Sequence, residues 1–123
     1  MIPPQIIIQQ VADYYHIEVF ELINTVRLKE FVKARHIAVY FCKQFSNMSL
    51  CRIGMYFKGR GYKAYDHASI IYAIQQVLNQ MDVYPEYRGE INELEKIIKD
   101  KEGELKIYEE DDVFMENDFF VKN

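Results

Sequence analysis

The sequence predicts an all-α domain of about five to six helices, and three observations carry that expectation. Half of the 123 residues are apolar or aromatic, enough for one globular core and too few for two. Gly and Pro are scarce, with five and three respectively. Long stretches repeat apolar residues at helical spacing, and no alternating pattern of a half-buried strand competes with them.

The helices follow in order. Ile8, Val11, Ala12 and Tyr15 fall on one helical face, and Pro3 and Pro4 just upstream suit a helix start. After a corner at Tyr15-His16, the residues Val19, Phe20, Leu22 and Ile23 predict one short further helix, ended by Asn24-Thr25. A basic loop, Arg27 to Glu30, leads to a third helix over about Phe31 to Phe45. There Ile37, Phe41 and Phe45 form the apolar stripe, while Lys33, Arg35 and Lys43 point away from it. Ser46-Asn47 closes this helix. Ser49 is the expected N-cap of the next, where Leu50, Ile53 and Phe57 are apolar and Gly54 permits a close helix contact.

Asp66 is the expected N-cap of a fifth helix, with Ile71, Ile74, Leu78 and Met81 buried and His67, Ala68 and Ser69 exposed on its first turn. A last helix is predicted from Pro85 to about Lys101, with Ile91, Leu94 and Ile98 inward. Two units result, a helical domain over 1–101 and an acidic C-terminal tail over 102–123.

The formal net charge of −4 conceals a separation of signs. From Thr25 to Ser69 there are nine Lys/Arg against two acids, whereas from Met81 to Asn123 there are six against fourteen. The basic segment is suited to a polyanion even though the whole chain is acidic. Cys42 and Cys51 lie in helical apolar patterns without zinc-site spacing, so both read as reduced core thiols and no metal or cofactor is expected. No N-terminal signal pattern or membrane-spanning run is present, from which cytoplasmic residence is expected.

A glycine-rich basic turn, Gly59 to Lys63, feeds the helix that starts at Asp66. A phosphate-binding enzyme loop would need a buried strand before it and a terminal Lys-Ser/Thr, and the stretch has neither. Asp66 and His67 are adjacent, so they do not face one another on a helix, and no nucleophile accompanies them. The expectation is a protein without catalytic residues. Two helices joined by a turn, the second presenting short polar residues among Lys and Arg, match instead a helix-turn-helix bundle.

The segments "IQQVADYYHIEVFEL", "VKARHIAVYFCKQFSNMSLCRIGMYF" and "DHASIIYAIQQV" together resemble the C-terminal DNA-binding domain of the bacterial replication initiator DnaA, over roughly Gln5 to Lys101. The family signature, Asp-His-Thr-Thr followed by apolar residues and Ala, stands here as Asp66, His67, Ala68, Ser69, Ile70, Ile71, Tyr72 and Ala73. The preceding pattern also matches, at Asn47, Ser49, Leu50, Ile53, Gly54 and Phe57. The resemblance implies an all-helical domain of the Trp-repressor type that binds double-stranded DNA with the helix from Asp66 in the major groove. By position it implies base contacts from Asp66, His67, Ala68 and Ser69, and a minor-groove contact from Arg27. Backbone contacts are implied for Lys33, Arg35, Lys43, Arg60 and Lys63.

Three departures stand out. Ala68 replaces a Thr, Gly61 to Tyr65 lengthen the turn before Asp66, and His16 occupies a helix corner where Gly is common. No ATPase domain precedes the motif in these 123 residues, so the expectation is DNA binding in replication initiation or its regulation without ATPase activity. Two alternatives accompany it. One is a protein–protein module of the same fold, and the other is a DNA binder inhibited by its own tail. In both, Glu109 to Asp112 with Phe114, Phe119 and Phe120 would dock on the domain or a protein partner.

Overall fold

In the computed structural model, the described residues are 1–24, 28–57 and 65–122, with side chains described as far as 104. Six helices occur among them and no strand: α1 Pro4–Tyr14, α2 Val19–Ile23, α3 Lys29–Phe45, α4 Leu50–Gly54, α5 His67–Val83 and α6 Pro85–Lys122.

Local chemistry explains most of the boundaries. Pro4 opens α1 and Pro85 opens α6, positions where proline's missing N–H costs nothing. At the start of α2, Glu18 and Glu21 form a reciprocal capping box, with the Glu18 backbone N–H donating to Glu21 Oε1 at 3.0 Å. Ser49 caps α4 by accepting from Arg52 N–H, and Asp66 caps α5 by accepting from Ser69 N–H.

Two helix ends use left-handed residues other than glycine. His16 and Asn47 both have φ 57. At the first corner, Ile17 N–H donates to Ala12 O at 3.0 Å and His16 N–H to Asp13 O at 3.2 Å. That is a Schellman termination with His in the usual glycine position, tolerated because His and Asn enter the left-handed region more readily than most residues.

The central element is α3, which packs against α1, α2, α4 and α5, while α6 closes the bundle over α1 and α5. Ile37 and Phe41 on α3 are fully buried, as the sequence predicts, and Phe45 stacks on Phe41 at the rim of the core. From α6, Ile91, Leu94 and Ile98 enter the same core.

Three expectations are corrected. On α5 the fully buried residues are Ile70, Ala73 and Val77, whereas Ile71 and Leu78 are 54% and 45% exposed, and Ile74 and Met81 only partly covered. The helix carries two apolar stripes one residue apart, and the one containing small Ala73 lies inward, where it allows close approach to the neighbouring helices. Cys51 is exposed, because a five-residue helix turns only its Ile53–Gly54 side to the core. Cys42 is buried as expected, and burial pushes its thiol up to about 12. Finally, the α6 backbone stays helical through Lys122 rather than ending near Lys101, in a stretch that contains no proline.

Candidate nucleic-acid interface

The site is organised by the way α5 is started. Gly54, at the end of α4, lies so close to Tyr65 that a Cβ there would meet the Tyr65 carbonyl oxygen at 2.2 Å. Tyr65 N–H donates to both Gly54 O (3.0 Å) and Phe57 O (3.2 Å), and the Tyr65 and Phe57 rings lie 6.0 Å apart. This clasp ties the residue before the α5 N-cap to the end of α4. It holds the two helices in a fixed relation whatever path the chain takes from 58 to 64.

Beyond the clasp, Asp66 Oδ1 accepts from Ser69 N–H at 2.8 Å. Hydrogen bonds from the Ser69 backbone and hydroxyl hold the Asp66 carboxyl below the usual carboxylate range, so it is an acceptor at neutral pH. Asp66, His67 and Ala68 are exposed and Ser69 is half-buried, while Ile70 behind them is fully buried. The first turn of α5 thus presents a carboxylate, an imidazole and a methyl around an exposed helix start, with the half-buried Ser69 hydroxyl one turn from Asp66, on a helix whose inner face is anchored in the core.

The expected cations divide into three groups. Lys43 is exposed near the α3–α4 corner, with Nζ 3.5 Å from Met48 O, and remains suited to a phosphate. Lys33 and Arg35 have partners within the protein. Lys33 Nζ bridges both carboxylate oxygens of Glu90 on α6 at 3.1 and 3.2 Å, and lies over the rings of Tyr15 and Tyr87. Tyr15 donates to the same Glu90 at 3.0 Å, so this lysine helps to join α1, α3 and α6.

Arg35 is only 3% exposed. Its Nε donates to Leu22 O at 2.7 Å, and the guanidinium also donates to Asn24 O. It satisfies carbonyls at the end of α2, which have no partner within so short a helix. Neither set of partners is visible locally in the sequence: they belong to α2 and α6, and only the tertiary fold brings those elements against α3. Arg27, Arg60 and Lys63 lie outside the described residues, as do all of Gly61 to Ala64 in the lengthened turn and the side chains of Glu109–Asp112, Phe114, Phe119 and Phe120.

Two residues near α5 are not marked out by the sequence. Arg52 is exposed on α4, the first helix of the pair, a position from which such helices cross a DNA backbone. Its place beside the Ser49 cap is the available signal. His36 packs edge-on against Tyr72 of α5 with ring centroids 5.8 Å apart, and burial, then the neighbouring Arg35, lowers its pKa. It braces α5 as a neutral ring, with no sequence signal beyond its place on α3.

The same fold and elements occur in known proteins. The family model of the bacterial DnaA protein helix-turn-helix matches residues 4–77, which cover α1 to most of α5. The chain belongs to this family. The chromosomal replication initiator protein DnaA of Wolbachia sp. subsp. Brugia malayi (strain TRS) is 38% identical over 91 residues, covering 74% of this chain and 19% of that protein. DnaA of Corynebacterium jeikeium (strain K411) is 35% identical over 98 residues, covering 80% of this chain and 16% of its own length.

Among solved structures of this kind, a crystal structure of a DNA replication initiation factor aligns with TM-score 0.66 and 30% identity, over 77% of this chain and 27% of the other. AMPPCP-bound DnaA from Aquifex aeolicus aligns with TM-score 0.64 and 28% identity, over 80% and 27%. The chain therefore spans about a fifth of the length of the curated DnaA relatives it matches.

Among the described residues, no cluster of three or more His, Cys, Asp or Glu could hold a metal ion, and no helix is long and apolar enough to cross a membrane. A cavity of about 600 Å³ at the α1–α2 corner is lined by Asp13, Glu18 and Glu21 and by no Lys or Arg, the wrong charge for a phosphate.

Proposed function

We propose that this chain binds double-stranded DNA by laying the N-terminal turn of α5 in the major groove, in replication initiation or its regulation. The observation that carries the proposal is the presentation of Asp66 to Ser69. Three exposed side chains of different chemistry, a carboxylate, an imidazole and a methyl, with the half-buried Ser69 hydroxyl behind them, surround a helix start that the Gly54–Tyr65 clasp ties to the end of α4. Family membership supports the same use of this helix.

In this docking, ionised Asp66 accepts from a cytosine amino group, His67 and Ser69 bond base edges, and the Ala68 methyl meets a thymine methyl. Lys43 and Arg52 reach phosphate oxygens on either side of the groove. Arg27 in the minor groove and Arg60 and Lys63 on the backbone are proposed from their positions in the sequence. Lys33 and Arg35 are left out, because Glu90 and the α2 carbonyls hold them.

The test separates positioning from reading. Lys43→Ala and Arg52→Ala are expected to weaken binding to all duplexes about equally. His67→Ala is expected to cost about 1–3 kcal/mol on a preferred site and little on random DNA. Affinities for one selected duplex and one random duplex, measured for the three variants, decide it. Equal losses on both duplexes for His67→Ala would remove α5 as the reading helix.

A further inference from the structure

The outward face of α5 carries an apolar residue that the core does not use. Ile71 is 54% exposed although its neighbour Ile70 is fully buried, and Ile70, Ala73 and Val77 already fill the inner face. Ile71 lies three residues after Ala68, which is also exposed, so the two aliphatic side chains are neighbours on one side of the helix. The rise between them is about 4.5 Å, a little more than one base-pair step.

The surroundings narrow what this pair can recognise. From His67 to Val83 the helix contains no Lys or Arg, and its one carboxylate, Asp82, lies at the far end. The bidentate Arg or Lys contact that reads guanine is therefore absent from α5 itself. Tyr72, the other large exposed residue of this turn, is engaged by its edge-on contact with His36 on α3. Ile71 is the aliphatic group set beside Ala68.

Within a major groove, the one apolar group that a base pair offers is the thymine 5-methyl. Resting on the DNA-binding function proposed above, we propose that Ala68 and Ile71 form a two-residue aliphatic reader of thymine methyl groups at neighbouring base-pair steps. Ile71 is then a specificity-determining residue. The Thr-to-Ala departure at position 68 makes this part of the surface more apolar, so that methyl contact takes over from hydroxyl hydrogen bonding.

The test removes only the methyl. A preferred duplex is selected from random sequence with the intact chain, and each thymine is replaced in turn by deoxyuridine, which keeps every hydrogen-bonding group. Replacement at one or two thymines is expected to weaken binding about three- to five-fold, the size of burying one methyl group. In Ile71→Ser, whose side chain lies outside the core, the penalty at one of those positions is expected to vanish while the deoxyuridine duplex is bound as before.

Helical content by circular dichroism checks that this variant is folded, and Ile71→Val, which keeps an aliphatic tip, is expected to retain the discrimination. Binding that is unchanged by deoxyuridine at every thymine overturns the methyl reader and leaves DNA binding intact. A penalty undiminished in Ile71→Ser removes Ile71 from it. Absence of binding to any duplex overturns both this inference and the function on which it rests.

Discussion

Arg35→Ala is expected to destabilise the domain by about 3 kcal/mol or more, a large part of the roughly 5–15 kcal/mol that holds a domain of this size folded. The guanidinium is buried and donates to Leu22 O and Asn24 O, so its removal leaves carbonyls at the end of α2 without their donors and opens a void beside α3. Arg35→Lys keeps the charge but cannot reproduce the planar fork, and recovers only part of the loss. Urea denaturation of the three proteins measures this through the shift in midpoint. In DNA binding, Arg35→Ala should weaken all sequences alike, in proportion to the folded fraction that remains. A variant as stable as the parent would show that the guanidinium does not hold α2 to α3.

Gly54→Ala has the second large expected effect, with two readouts. In an ordinary helix this change stabilises by about 1 kcal/mol. Here the added Cβ would meet the Tyr65 carbonyl oxygen at 2.2 Å and its carbon at 3.2 Å. Both are backbone atoms, so α4 and the start of α5 must move apart, at a cost of about 1–3 kcal/mol. Since Tyr65 immediately precedes the N-cap Asp66, the same displacement should reduce affinity for a preferred duplex more than affinity for random DNA. Gly89 and Gly103, both in α6, supply the control, because a Cβ added at either would meet nothing within 4 Å. Gly89→Ala is expected to raise stability by up to about 1 kcal/mol. Equal responses at Gly54 and Gly89 would mean that the clasp is not tight.

The legibility of the fold followed the range of the interactions that make it. Asp66 and Ser49 were readable as caps because a cap is made with a backbone N–H three residues on. The His16 corner was readable for the same reason, since a left-handed residue is chosen by local sterics. Family membership was legible from the Asp66–Ala73 signature and the pattern before it.

What could not be read depends on partners distant in sequence. The phase of α5 was ambiguous because Ile70/Ala73/Val77 and Ile71/Ile74/Leu78 are equally periodic, and only packing decides between them. Lys33 and Arg35 looked like surface cations because their partners are not local. These come from Glu90 on α6 and from the end of α2.

The function proposed for this fold needs Lys43, Arg52, Arg60 and Lys63 to hold DNA in a chain whose formal net charge is −4, so long-range attraction of the whole molecule to DNA cannot account for binding. The most direct measurement is a titration of fluorescent duplex DNA with the full chain across a series of salt concentrations. If the Lys and Arg residues around the start of α5 neutralise about 4–6 phosphates, log K should fall against log salt with a slope of roughly −4 to −5. A flat response to salt, or no binding at the lowest salt, would contradict it.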